Sequence, residues 1–124
     1  MLLLNPAPPV ARVDGGSGAG KPYVVKIHAR WCPVCMMTKG VWDEVASAYS
    51  GRVNLVVFDV TDVEATASAR AEAGRLGLSA FFEEYSGATG TVHVLRGSDK
   101  AVVGSIEGSR RFADYRAAIE SALP

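Results

Sequence analysis

Cys32 and Cys35 are the only cysteines in a chain of 124 residues, and they stand at i and i+3. A pair this close encloses almost no loop, so a bond between them cannot staple a small secreted fold. Three uses remain: redox chemistry, metal binding, or none. Pro33 fits the first turn of a helix, where its missing N–H costs nothing. Two thiols spaced i, i+3 at a helix start lie on one helical face and can close a disulfide with little backbone motion. Cys32 would sit where unpaired N–H groups and the helix dipole favour a thiolate, below the free thiol pKa of about 8.5. It is therefore the expected nucleophile, attacking a substrate disulfide. Cys35, one turn further in, would resolve the mixed disulfide. The reverse sequence oxidises a dithiol.

The metal alternative is short of ligands. Zinc usually takes four, and His28 and His93 are the only nitrogen candidates, with no second C-x-x-C. An intersubunit site would need two chains. A C-x-x-C at a strand-to-helix junction in a βαβ pattern is the stronger signal, and it is a redox one.

The elements that must position the pair follow from pattern. Tyr23–His28 (YVVKIH) reads as a strand. Val34, Met37, Val41, Val45 and Ala48 recur at helical spacing and predict a helix to about Tyr49, with Gly40 as its weak point. Val53–Val60 (VNLVVFDV) reads as a strand buried on both faces. Thr61 with Glu64 matches a capping box for a helix over Asp62–Leu76. Ser79–Tyr85 is one or two helical turns. Thr91–Leu95 and Ala101–Ile106 read as a hairpin around Arg96–Lys100. Ser109 is expected to cap a last helix over Arg110–Leu123, with Phe112, Tyr115, Ile119 and Ala122 as its apolar stripe. The first two strands, joined through a helix, should be parallel neighbours.

Composition bounds the rest. Hydrophobic residues make up 48% of the chain, which suits one domain. Lys plus Arg and Asp plus Glu both total 13, a formal charge of zero. That gives no electrostatic case for nucleic acid or an anionic membrane. No apolar run reaches the length of a membrane span. Residues 1–21, with Pro6, Pro8, Pro9 and the DGGSGAG run from Asp14, read as a flexible arm before a domain over 22–124. Met1–Leu4 lacks the basic start and longer apolar core of a signal peptide. The expectation is a cytoplasmic monomer, with an exported form trimmed of its signal left open.

The segment Ala29-Arg30-Trp31-Cys32-Pro33-Val34-Cys35 resembles the A-x-W-C-x-x-C segment of thioredoxins. The preceding strand, the V-x-F-D-V strand, the G-T-V-x-V-L strand and the Gly104–Gly108 region also match, over Pro22 to Leu123. The resemblance implies a thioredoxin-like α/β fold with a trimmed N-terminus: a central mixed sheet of about four strands flanked by helices. It implies dithiol–disulfide exchange with protein substrates, no bound cofactor, and a recycling reductase or oxidase. A redox-inactive or sensing binding module and a metal-binding chaperone are the alternatives.

Several positions depart from the family. Pro33-Val34 replaces Gly-Pro and leaves the direction of exchange open. Glutaredoxin also has Pro first, but Trp31 is thioredoxin-like. Lys26 stands where thioredoxins carry a buried Asp. A desolvated lysine there would favour thiolate; the plainer expectation is that Lys26 snorkels to the sheet edge. The family's cis-proline position falls at Thr89. A cis bond there would cost about 2.5–4 kcal/mol, so Ala88–Thr89 should be trans, its backbone facing the sulfurs. Trp31 is read as a shield and contact surface or as packing, and Arg30 as a source of positive potential or a solvated side chain. Phe81, Phe82 and Tyr85 are read either as a substrate surface or, preferentially, as core. Of Met36 and Met37, one is expected in the core and one on the surface.

Overall fold

Along Tyr23–His28 the side chains of Val24, Lys26 and His28 fall on one face and those of Val25 and Ile27 on the other, as strand pleating requires. This strand, β1, is the axis of the molecule. The computed structural model describes residues 20–124. The arm read over 1–21 therefore lies outside the described residues, except for Gly20 and Lys21. Lys21 is tied down: its Nζ donates to the Gly51 carbonyl (3.0 Å), and its own carbonyl accepts from Asn54 Nδ2 (3.2 Å).

The remaining elements are α1 (Pro33–Met37), α2 (Lys39–Ala48), β2 (Asn54–Asp59), α3 (Val63–Leu76), α4 (Ser79–Tyr85), β3 (Thr91–Leu95), β4 (Val102–Glu107) and α5 (Phe112–Ala122). They build one four-stranded mixed sheet in the order β2-β1-β3-β4. β1 runs parallel to β2, with Lys26 opposite Val57 and His28 opposite Asp59. It runs antiparallel to β3, which pairs antiparallel with β4.

Two apolar layers cover the sheet. On one face Val24, Val92 and Val94 meet Val41, Trp42 and Val45 of α2 and Tyr115 and Ile119 of α5. On the other, Val25, Ile27 and Phe58 meet Ala69 and Ala73 of α3 and the rings of α4. Gly104 of β4 allows α5 its approach, since a Cβ there would stand 3.4 Å from that of Ala118.

Four local expectations are corrected. The single helix to Tyr49 is two helices, broken at Thr38 (φ −100°, ψ 6°) rather than Gly40. Thr38 Oγ1 donates back to the Val34 carbonyl at 2.8 Å, a local bond that competes with helix continuation. The break rotates the apolar stripe. Trp42 and Tyr49 are core residues, while Met36, Met37 and Ala48 are exposed. β2 is not buried on both faces, because it is an edge strand whose Val57 is 49% exposed. α5 begins at Phe112, and Ser109 does not occupy its capping position. Ser109 Oγ instead accepts from the Arg111 N–H (3.1 Å) and donates to Asp114 (2.6 Å).

The fourth correction concerns α3. Its N-cap is Asp62, whose carboxylate accepts from the Ala65 N–H at 2.8 Å, and not Thr61. Gly77 closes the helix in the left-handed region (φ 75°). Asp62→Ala should therefore cost about 1 kcal/mol in urea unfolding, with the slope unchanged. An unaltered midpoint would show that the cap contributes nothing.

Candidate active site

Cys32 is the N-cap of α1 and Pro33 its first residue. Cys32 Sγ accepts the Cys35 backbone N–H at 3.1 Å, a bond usually made by a Ser or Asp oxygen. Cys32 keeps 4% exposure and Cys35 none. Both are free thiols, and Cys35 Sγ points at the Ile27 carbonyl, 3.8 Å away.

The two thiols differ in acidity. Burial opposes the Cys32 thiolate. The Cys35 thiol and N–H, the Thr89 hydroxyl and the Val34 N–H outweigh it and hold the Cys32 pKa below the usual thiol value. For Cys35, burial and its hydrogen bond to Cys32 push the pKa up, with Lys26 pulling the other way. The arrangement makes Cys32 the more acidic thiol and Cys35 the less acidic one.

The segment carrying Cys32 is pinned from the β2–α3 turn. Trp31 Nε1 donates to the Thr61 carbonyl (2.8 Å), and the Arg30 N–H to Thr61 Oγ1 (2.9 Å). Thr61 Oγ1 in turn donates to Asp59 (2.5 Å), whose carboxylate also accepts the Thr61 N–H (2.9 Å). Burial raises the Asp59 pKa, but these bonds and nearby His28 and Arg30 carry it below the usual carboxylate range. Thr61 is thus an anchor of the cysteine segment. Trp31 stays 62% exposed and so is not a core residue.

Gly90 is the neighbour that sequence reasoning missed. It holds φ +88°, and a Cβ there would meet Val34 Cγ1 at 2.9 Å and Cys32 Sγ at 3.4 Å. Its N–H donates to the Ile27 carbonyl (2.9 Å), closing the loop onto β1. No peptide bond among the described residues is cis, so Ala88–Thr89 is trans as expected. Thr89 contributes through its hydroxyl, while the backbone seated against the sulfur is that of Gly90.

Lys26 does not snorkel to the sheet edge. β1 is an interior strand, and Lys26 is 4% exposed beneath α1 and α2. Its Nζ lies 5.7 Å from the centre of the Trp42 ring. It lines a cleft of about 510 Å³ together with Cys35, Arg30, Lys39 and Asp43. Burial lowers its pKa, while Cys35 and then Asp43 oppose that shift.

Phe81 and Phe82 are core residues and cannot form a substrate surface. Phe82 packs edge-on against Phe58 (centroids 5.3 Å apart), and Phe81 stacks on half-buried Tyr85 (4.8 Å). Phe81 and Tyr85 also enclose the His93 ring, at 5.3 and 4.5 Å. Both His93 nitrogens are engaged, Nε2 with Thr91 and Nδ1 with Ser105, each at 2.9 Å. Among the described residues, no three His, Cys, Asp or Glu side chains gather as a metal site would need. No helix among them is long and apolar enough to cross a membrane.

The thioredoxin family profile matches residues 17–73, a span that holds both cysteines. Thioredoxin C-2 of Corynebacterium nephridii is 39% identical over 49 residues, covering 40% of this chain and 45% of that relative. The chain thus spans less than half the length of that curated relative. A thioredoxin-family thiol:disulfide interchange protein from Chlorobium tepidum superposes with a TM-score of 0.56 at 25% identity, covering 87% of this chain and 83% of its own. The fold of this chain is thioredoxin-like. Fasciola hepatica thioredoxin shares the fold at 17% identity, with a TM-score of 0.54 over 86% of this chain and 85% of its own. Against this thioredoxin-like frame, the distinctive features of the site are Lys26 below the sulfurs and Thr89-Gly90 beside them.

Proposed function

We propose that the chain is a thiol–disulfide oxidoreductase acting on protein substrates, with Cys32 as nucleophile and Cys35 as resolving thiol. The observation that carries this is Cys32 Sγ at the N-cap, accepting the Cys35 N–H at 3.1 Å. That contact places a stabilised thiolate one helical turn from a second thiol.

The Cys32 thiolate attacks one sulfur of a substrate disulfide. A Cys32–substrate disulfide forms, the substrate S–S bond breaks, and one substrate thiolate leaves. Cys35 then loses its proton and attacks Cys32 Sγ. The Cys32–Cys35 disulfide forms, and the second substrate thiolate leaves and takes up a proton. Two electrons pass from the protein dithiol to the substrate; reversal passes them back. The Gly90 backbone borders the sulfur that substrate must reach, and exposed Trp31 immediately precedes Cys32 in the chain.

A Cys35→Ala chain tests the order of events. Without its resolving thiol, the protein should accumulate a mixed disulfide through Cys32, visible as a reductant-sensitive adduct by mass spectrometry after incubation with oxidised insulin. Adducts absent from Cys35→Ala, or formed equally by Cys32→Ser, would refute the assignment.

A further inference from the structure

Lys26 is a buried cation for which no hydrogen-bond acceptor is found among the described residues. An ammonium group withdrawn from water is costly unless an anion faces it. The groups around it are few. From α1 and its N-cap they are Cys35 and Cys32; from α2, Lys39 and Asp43; from β1 and the following turn, His28 and Arg30. β2 contributes apolar Val57 and β3 apolar Val92 opposite Lys26. Asp43 is the one carboxylate, and it already pairs with Lys39 at 2.8 Å. Lys39, Arg30 and His28 add positive charge or none. The remaining source of negative charge is the sulfur pair.

That charge exists in only one redox state. With both thiols free, Cys32 is the more acidic of the two and takes the negative charge when the pair ionises, with the Cys35 N–H 3.1 Å from its sulfur. With the disulfide closed, neither sulfur is charged, and Lys26 faces other cations with a carboxylate that is already paired. The ammonium therefore stabilises the dithiol over the disulfide. We propose that Lys26 is a positioning residue that makes the Cys32–Cys35 disulfide more oxidising, biasing this chain toward donating its disulfide to substrate thiols. This rests on the exchange reading above and adds a bias to its direction.

The balance is simple. Two substrate thiols give up two electrons and form a disulfide. The Cys32–Cys35 bond breaks to leave a Cys32 thiolate and a Cys35 thiol, and one substrate proton passes to Cys35 while the other passes to solvent. A disulfide of higher potential, such as a low-molecular-weight thiol disulfide, restores the starting state.

The test is an equilibrium with mixtures of glutathione and glutathione disulfide, the reduced fraction read by thiol mass-tagging. Lys26→Met keeps the volume and apolar stem and removes the charge; Lys26→Gln serves where Met does not fold, as judged by circular dichroism. At neutral pH the constant favouring the reduced protein should fall about tenfold in either variant, about 30 mV for a two-electron couple. Lys26→Arg should hold it within about threefold of the unaltered protein. The gap between the unaltered protein and Lys26→Met should close as pH rises and Lys26 loses its proton, and also as pH falls and the thiolate is lost. A fall under about threefold in the neutral variants, with both pairs reversible, overturns the role of Lys26 and leaves exchange standing. A wild-type pair that never forms a reversible disulfide overturns both.

Discussion

Cys32→Ser should abolish disulfide exchange: insulin reduction with dithiothreitol should fall to the uncatalysed rate. The expectation comes from the electronic demand on one atom. A serine hydroxyl can form no disulfide, and its alkoxide is inaccessible at any pH the fold would meet. The donors that hold Cys32 as a thiolate, the Cys35 N–H at 3.1 Å among them, would merely cap α1 through the new oxygen. Stability should therefore change little while turnover disappears. The intact protein should show a rate rising with pH through the Cys32 ionisation, which lies below the usual thiol range, and then levelling. The fully buried Cys35 has no such role in attack, so Cys35→Ala should still form adducts while losing turnover. A Cys32→Ser rate matching that of the intact chain would place the chemistry elsewhere.

Gly90→Ala should damage fold and exchange together. The added Cβ meets two obstacles. At φ +88° an L side chain is strained whatever the space around it, and the methyl would stand 2.9 Å from Val34 Cγ1 and 3.0 Å from Val34 Cβ. Left-handed backbone costs about 1–2 kcal/mol and overpacking about 1–3, so a loss of roughly 2–5 kcal/mol in unfolding free energy is expected. Val34 lies between the two cysteines. Relief of the clash must therefore move α1, and with it the Cys35 N–H that holds Cys32. Val34→Ala in the same chain separates the two terms. It removes Cγ1 but keeps Cβ, so it should recover part of the steric loss and of the exchange rate, and leave the backbone part. A Gly90→Ala protein with wild-type stability would show that the loop yields without cost.

Much of this was legible in the sequence because it depends on local pattern. Tyr23–His28 and Thr91–Leu95 are strands over the same residues that the β-branched runs mark, and the cysteine pair sits at the predicted strand-to-helix junction. The errors arose where a side chain had two possible bonds. Thr61 matches a capping box, but Asp62 takes the cap and Thr61 holds Trp31, because the partner is thirty residues away along the chain. Thr38 interrupts the helix through one back-bond, although Gly40 has the weaker propensity. The burial of Lys26 was hidden because its spacing along β1 gives its face but not the depth of the helices above. Gly90 looked like ordinary loop punctuation. Only the tertiary approach of Val34 and Cys32 shows why a side chain is excluded there.

The break at Thr38 leaves the sulfurs on a helix of five residues. Aligned peptide dipoles sum over length, so this one offers its N-terminus little long-range field. The negative charge on Cys32 rests instead on short-range donors, among them the Cys35 N–H 3.1 Å from its sulfur. Such contacts lie well inside the screening length of dissolved ions, about 8 Å at physiological ionic strength. The acidity of the nucleophile should therefore move little between dilute buffer and high salt, as a thiolate absorbance titration at two ionic strengths would show.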